Sequence, residues 1–343
     1  MITHDISIKL PLIQAPMAGS QGSALAIAVS NAGGLGSLPC AMLNPETMRK
    51  EISAIEAATS KPYNVNFFVH QLPAPDPARE EAWRDVLAPY YAEFGIDPST
   101  IQSGAGRTPF NDEAADVLER FKPAVVSFHF GLPSAPLMRR VKSWGSRILS
   151  SATTVDEARW LEARGVDAVI AQGLEAGGHR GIFLTHDLGT QVGTFALVQQ
   201  IVRAVRVPVI AAGGIADAAG VRAAMELGAA GVQVGTAYLL CPEATTSAVH
   251  RAALLGESAR HTALTNIFTG RPARGIVNRL MRELGTINVA APSFPTAASA
   301  LAPLRAKAEA QGSGDFSPLW AGQNAAGCRE ISAAELTRRL ADR

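Results

Sequence analysis

Short apolar runs ending in small or polar residues recur along the chain, each followed by a stretch with helical spacing. Eight such runs occupy residues 11–17, 34–39, 63–68, 124–130, 147–153, 168–173, 207–214 and 231–240. Several are apolar at nearly every position, the pattern of parallel strands covered on both faces. Between them, segments such as 156–164 and 217–227 carry apolar residues at helical spacing. Asp156 and Asp217 fall in first turns, where a carboxylate caps free amides and opposes the helix dipole. Eight strand–helix alternations predict an α/β fold, a (β/α)8 TIM barrel. An open doubly wound sheet is the runner-up and fits less well, because eight parallel units carry no second glycine fingerprint.

Two stretches break the repeat. Residues 70–122 are rich in Pro, Asp and Glu, with helical spacing in 80–94 and 112–120, and read as an insertion in a βα loop. From Cys241 onward the pattern turns helical, through 247–255 and 274–284, followed by a Pro/Ala-rich stretch at 290–303. The expected division is a barrel over 1–240, a helical cap or substrate subdomain over 241–310, and a return to the barrel wall over 311–343.

Barrels of this kind place their chemistry at the C-terminal ends of the strands. Those ends carry Ala15-Pro16-Met17, Asn66, His129, Ser151, Gln172, Gly213-Gly214 and Gly235-Thr236. Gln172 leads into the loop EAGGHRG at 175–181, where His179 directly follows Gly177 and Gly178. Glycine amides can approach a ligand closely, and a histidine titrates near neutral pH, so the pair suggests acid/base or electrostatic work beside an anion cradle. A tight turn with a solvated histidine is the bland alternative. AAGGI at 211–215 and QVGT at 233–236, the latter spanning Gln233, Val234, Gly235 and Thr236, bring glycines to one level on the seventh and eighth strands, the usual phosphate site of such barrels. Tight packing alone is the competing explanation for Gly213 and Gly214.

Other features rank lower. GGLGS at 33–37 precedes a strand rather than following one, so a structural turn is expected. His129 sits at a strand end, where a site role competes with that of a hydrogen-bonded core histidine. Met17 suits the face of a flat aromatic ligand, and the amides of Asn66 and Gln172 can both donate and accept, as a flavin's pyrimidine edge requires. His70, His186, His250 and His261 are expected to be structural or surface residues.

Composition narrows the classes. Of 343 residues, 47% are apolar and 18% charged, with a net charge of +1. No basic stripe points to nucleic acid or an anionic membrane. No apolar run approaches the length of a bilayer span, and no charged leader with a long apolar stretch opens the chain, so a cytoplasmic location is expected. Cys40, Cys241 and Cys328 are far apart and odd in number, neither a metal pair nor a disulfide framework. No GxSxG, P-loop, metal-ligand spacing or paired-carboxylate motif appears. A phosphate cradle with amides and histidine but no nucleophile suggests that a phosphorylated cofactor carries the chemistry.

Taken together, QAPMAG (14–19), VNFF (65–68), AQGLEAGGHRG (171–181) preceded by LSSATTVDEARWLEARG (149–165), AAGGI and QVGT resemble the nitronate monooxygenases, and their class I branch in particular. The resemblance implies an FMN-dependent barrel that oxidises alkyl nitronates, preferably propionate 3-nitronate, with dioxygen to aldehyde or ketone plus nitrite, by way of a flavin semiquinone. It implies His179 as the active-site histidine and His129 as a second pocket histidine. Asn66, Gln172, Gly177, Gly178, Gly213, Gly214 and Gln233–Thr236 are then expected to hold FMN, with Met17 near the ring. The partners implied are the small nitronate and dioxygen, with the protein a monomer or homodimer. Charge for a doubly anionic substrate is expected from His129 and His179, with Arg180 as a further candidate. Tyrosines that line the cap side of the pocket in the family are replaced here, in APSFPTAASALAPLR (291–305), by Phe294 and alanines. The rival readings are an FMN-dependent NAD(P)H reductase of the enoyl-acyl-carrier-protein or quinone type, and a non-catalytic flavin binder.

Overall fold

The computed structural model describes residues 6–101 and 107–342. Each of the eight expected runs contains a strand: β1 (Leu12–Gln14), β2 (Gly36–Pro39), β3 (Tyr63–Phe68), β4 (Val125–His129), β5 (Arg147–Ala152), β6 (Ala168–Gln172), β8 (Val209–Ala212) and β9 (Gly231–Val234). They form one parallel sheet in the order β1-β9-β8-β6-β5-β4-β3-β2. The two ends meet where Ile13 bridges Leu35, with Gln14 N donating to Leu35 O and Leu35 N to Leu12 O. The sheet therefore closes into the predicted barrel.

Period-two alternation sorts the strand residues. Ile13, Val125, Leu149, Ile170 and Ile210 form an inner cluster joined by Ile6 and Ile8, while Leu12, Val126, Ile148, Val169 and Val209 pack outward against the helices. Strands stop where their sequence changes: β8 ends before Gly213 and Gly214, whose φ values of +118° and +72° are not extended. The capping residues behave as their chemistry dictates. Asp217 accepts from Gly220 N at the helix Ala218–Glu226, and Thr154 accepts from Glu157 N at Val155–Ala163, with Asp156 in that helix's first turn.

Outside the barrel, the helix Pro77–Phe94 of the 70–122 stretch packs on the helix Ala297–Ala310. Trp83, Leu87, Tyr91, Leu301, Leu304 and Phe316 make a second core there, and Tyr91 OH donates to Ala300 O at 2.7 Å. The expected helix over 274–284 is only half present. Ala273–Ile276 is instead a strand, β11, between β10 (Thr262–Thr265) and β7 (Gly178–His179). The helix begins at Arg279, capped by Asn278, whose side chain accepts from Met281 N. Helical spacing of apolar residues misleads in the first half because β7 supplies a partner for the extended backbone. Among the described residues no helix is long and apolar enough to cross a membrane.

Candidate active site

A cavity opens at the C-terminal ends of the barrel strands, with about 1300 Å³ of unfilled space inside and at its mouth. Residues expected from nearly every strand end meet on its wall: Met17, Asn66, His129, Gln172, Gly177, Gly178, His179, Gly213, Gly214, Gln233, Gly235 and Thr236. Val234 and Arg180 are the expected residues not brought there. Alternation along β9 turns the Val234 side chain away from the cavity into the outer core, and its carbonyl accepts from Ala15 N.

His179 is held from several sides. Pairing of β7 with β11 sets Ala273 opposite His179 and Arg274 opposite Gly178, so the expected loop is pinned as extended backbone. Gln172 spends both ends of its amide on the same segment: Nε2 donates to His179 O at 3.0 Å, and Oε1 accepts from Gly181 N at 2.7 Å. His129 Nε2 also meets His179 O, at 3.1 Å. A carbonyl only accepts, so Nε2 carries the proton and Nδ1 accepts from the Ser151 hydroxyl at 3.0 Å. Burial, opposed by that carbonyl bond and reinforced by Arg271 and Arg180, pushes the His129 imidazole down to about 3. His129 is thus neutral with both nitrogens engaged.

The His179 ring lies among aromatics, 5.3 Å from Phe294, 5.6 Å from Trp320, 5.9 Å from Phe68 and 6.0 Å from Phe130 between centroids. Desolvation there, followed by the Arg107 charge and then by His129, Arg271 and His70, holds its pKa well below the usual value. Its Nε2 meets Thr269 Oγ1 at 2.9 Å. That hydroxyl is also placed to donate to Arg271 O, at 3.4 Å. The consistent arrangement has Nε2–H donating to Thr269, which leaves the Nδ1 lone pair of a neutral imidazole as the available base.

The rest of the wall is built largely from backbone and hydroxyls. Gly213-Gly214 of the loop after β8 and Gly235-Thr236 of the loop after β9 front the cavity beside Gly177, Gly178 and Gly322. Gly214 holds φ +72°, favoured by glycine. At Gly177 an added Cβ would stand 2.5 Å from Gly322 N, so only glycine permits the close approach of the two segments. Thr236 Oγ1 accepts from Gly322 N at 2.9 Å, and Asn324 Nδ2 donates to Gly214 O at 2.9 Å. Glu175 accepts from Thr194 N and Oγ1, which fixes the root of the loop. A glycine-lined wall with no lysine among its residues lets a phosphate approach the backbone.

Two amide oxygens of strand-end residues on the wall lack protein donors among the described residues. Asn66 gives its Nδ2 to Ser127 Oγ at 2.9 Å, leaving Oδ1 for the cavity. Gln233 Oε1 is buried with no partner at all. Such an oxygen costs about 1–3 kcal/mol when it stays unsatisfied, and a ligand N–H is one donor that would meet it. A heterocycle bearing an imide and a phosphate tail meets both demands.

Some of the wall lay outside the strand-end pattern. Trp320, Gly322 and Asn324 come from the C-terminal return and Arg107 from the 70–122 stretch, while Thr269, behind the wall, reaches His179 from the cap. WAGQN at 320–324 is the only local signal of the first group, glycine and amides in a short polar run. Arg180 departs from expectation. It is fully buried behind the wall, donating from Nη1 to Gly173 O and from Nη2 to Gln172 O, both at 2.7 Å, and from Nε to Gln191. Those bonds fasten the loop, and the cavity-lining guanidinium is Arg107 instead. Among the four histidines expected to be ordinary, His70 and His250 are buried and His186 and His261 exposed. Phe294 joins Phe68, Phe130 and Ala41 in an apolar cluster over His179.

A family model described as nitronate monooxygenase matches residues 1–342. A nitronate monooxygenase of Pseudomonas aeruginosa PAO1 is 46% identical over 342 residues, covering 99% of this chain and 97% of its own. One from Paraburkholderia phytofirmans PsJN is 45% identical over 338 residues, covering 98% and 92%. The crystal structure of a nitroalkane oxidase from Streptomyces ansochromogenes superposes with a TM-score of 0.89 at 38% identity, over 99% of this chain and 96% of that one. The matches run the length of the chain and take in the glycine–histidine strand that lines the cavity. The chain belongs to the nitronate monooxygenase family, a family of oxidoreductases.

Proposed function

We propose that the protein binds FMN in this cavity and oxidises small alkyl nitronates with dioxygen, propionate 3-nitronate being preferred, to the aldehyde or ketone and nitrite. The observation that carries the reading is the pairing, on one wall, of a neutral enclosed His179 with donor-seeking oxygens and glycine-lined backbone. In this reading Gly213, Gly214, Gly235 and Thr236, with Gly177 and Gly178, hold the phosphate, while Asn66 and Gln233 meet the ring's polar edge and Met17 packs near its face. Flavin would supply the electron acceptor. Residues 1–240 provide that site, 241–310 cap it on the substrate side, and 311–343 return to close the phosphate end.

The chain's own groups bind, orient and exclude water. A nitronate is already a carbanion equivalent, so His179 need not remove a proton from it; a neutral nitroalkane requires one to leave carbon, and Nδ1 of His179 is the acceptor. His129 and Gln172 hold the His179 backbone in position, and the aromatic rings keep the imidazole dry and uncharged. Positive charge from Arg107 and Arg271 favours an anionic substrate.

Steady-state oxygen uptake and nitrite release with propionate 3-nitronate, run beside NADH oxidation with and without quinone or crotonyl thioester, test the reading. Nitronate-dependent oxygen uptake that consumes no NADH is expected. Fast NADH oxidation with negligible nitronate turnover would promote a reductase.

A further inference from the structure

Three histidines and two arginines crowd the His179 end of the cavity: His70, His129, His179, Arg107 and Arg271. Arg271 is engaged elsewhere. Its guanidinium lies 3.8 Å over the Phe130 ring and Nη2 donates to Ile182 O, and it is not part of the cavity wall. Arg107 differs on each count. It lines the cavity, its guanidinium stands 5.8 Å from the Phe68 centroid and 5.5 Å from that of Phe294, and burial pushes its pKa down to about 10 with no carboxylate opposing the effect. Among the described residues no ion pair satisfies it. His70 anchors the main chain beneath it, Nε2 donating to Arg107 O at 3.0 Å.

A mostly buried guanidinium without a carboxylate costs free energy unless an anion meets it. Phe68 and Phe294 flank both Arg107 and the His179 ring, so the two groups face the same small volume. We propose that Arg107 is a specificity-determining residue that receives a second anionic group, a carboxylate, on the substrate whose reacting end lies at His179. Its planar fork offers two parallel N–H donors, the geometry that a carboxylate accepts bidentately and that a neutral alkyl tail cannot use. The ligand class is then a short nitronate with a carboxylate a few bonds away. The substrate half of this inference rests on the nitronate reading; the binding half does not.

Two measurements separate them. Oxidation of propionate 3-nitronate is compared with that of propyl-1-nitronate in the wild type, Arg107→Gln and Arg107→Lys holoenzymes. Arg107→Gln raises KM for the carboxylate-bearing substrate on the order of 10- to 100-fold, and raises that for the alkyl nitronate, which loses only the general positive charge, several-fold less. Arg107→Lys recovers part of the loss, because it keeps the charge but not the fork. Calorimetric titration with succinate, isosteric with the dianion and unreactive, against butyrate reads the same contact without turnover. Wild type binds succinate more tightly, and Arg107→Gln erases the difference. Equal losses on both nitronates, or a succinate preference that survives in Arg107→Gln, would overturn the proposal. If neither nitronate is oxidised but the succinate preference collapses in the variant, the nitronate reading fails while the Arg107 anion contact stands.

Discussion

The proposed role of His179 as a base rests on a charge that is suppressed before any substrate arrives. Desolvation among four aromatic rings comes first, the guanidinium of Arg107 second, and the neighbouring histidines and Arg271 add to it. His179→Asn keeps the side chain's hydrogen-bonding character but cannot accept a proton. FMN retention is expected to be unchanged, while kcat/KM for neutral nitroethane falls by about 100-fold or more and that for ethyl nitronate falls less. Equal losses would make the role positional. Thr269 bears on the same chemistry at one remove. Thr269→Val removes the acceptor for Nε2–H, so the imidazole is free to place its proton on Nδ1 and lose the base. Nitroalkane kcat is expected to drop about 10-fold with nitronate kcat nearly unchanged, a split that a general packing defect would not produce. Neither partner of His179 was visible in the chain, for Thr269 stands 90 residues away and Arg107 belongs to an insertion without a motif.

Barrel strands announce themselves because both faces are buried and each ends in a small or polar residue. Leu149, Ile170 and Ile210 face inward and Ile148, Val169 and Val209 outward, with no break in the apolar run. That continuity places Asn66, Gln172, Gly213 and Gln233 on the wall from the sequence alone. Period two also explains Val234, a neighbour of Gln233 that must point the other way. The β7–β11 pairing was not readable, since two residues carry no period and the partner lies nearly a hundred residues on. At this scale the glycine cradle makes a direct test. Gly214→Asp puts a residue that disfavours φ +72° on the wall, with its Cβ 3.5 Å from Glu175 Cβ, and adds negative charge where the phosphate would lie. The purified variant is expected to be colourless, with absorbance at 450 nm recovered only at high added FMN. Full retention of flavin would remove the phosphate from this end.

The whole molecule carries buried neutral histidines whose cost appears at acid pH. Burial lowers His129 to about 3 and His70 and His250 to about 4, below the ordinary 6.5. Between those values and 6.5 the unfolded chain binds protons that the folded one refuses. Stability is therefore complete above about pH 6.5 and declines as pH falls toward 4 and 3, by up to about 1.4 kcal/mol per pH unit for each histidine. His250 lies outside the cavity wall, so His250→Gln isolates one contribution. Its denaturation free energy between pH 6.5 and 4.5 should fall less steeply than that of the wild type, and parallel slopes would contradict the assignment.

The central claim joins the site to its chemistry: a flavin held in this cavity takes electrons from a nitronate and not from a nicotinamide. Anaerobic stopped-flow spectroscopy of the purified holoenzyme reads that choice directly. Mixing with propionate 3-nitronate is predicted to bleach the 450 nm absorbance within the turnover time, and mixing with NADH to leave it standing over the same interval. Rapid bleaching by NADH, with no spectral response to the nitronate, would contradict the account.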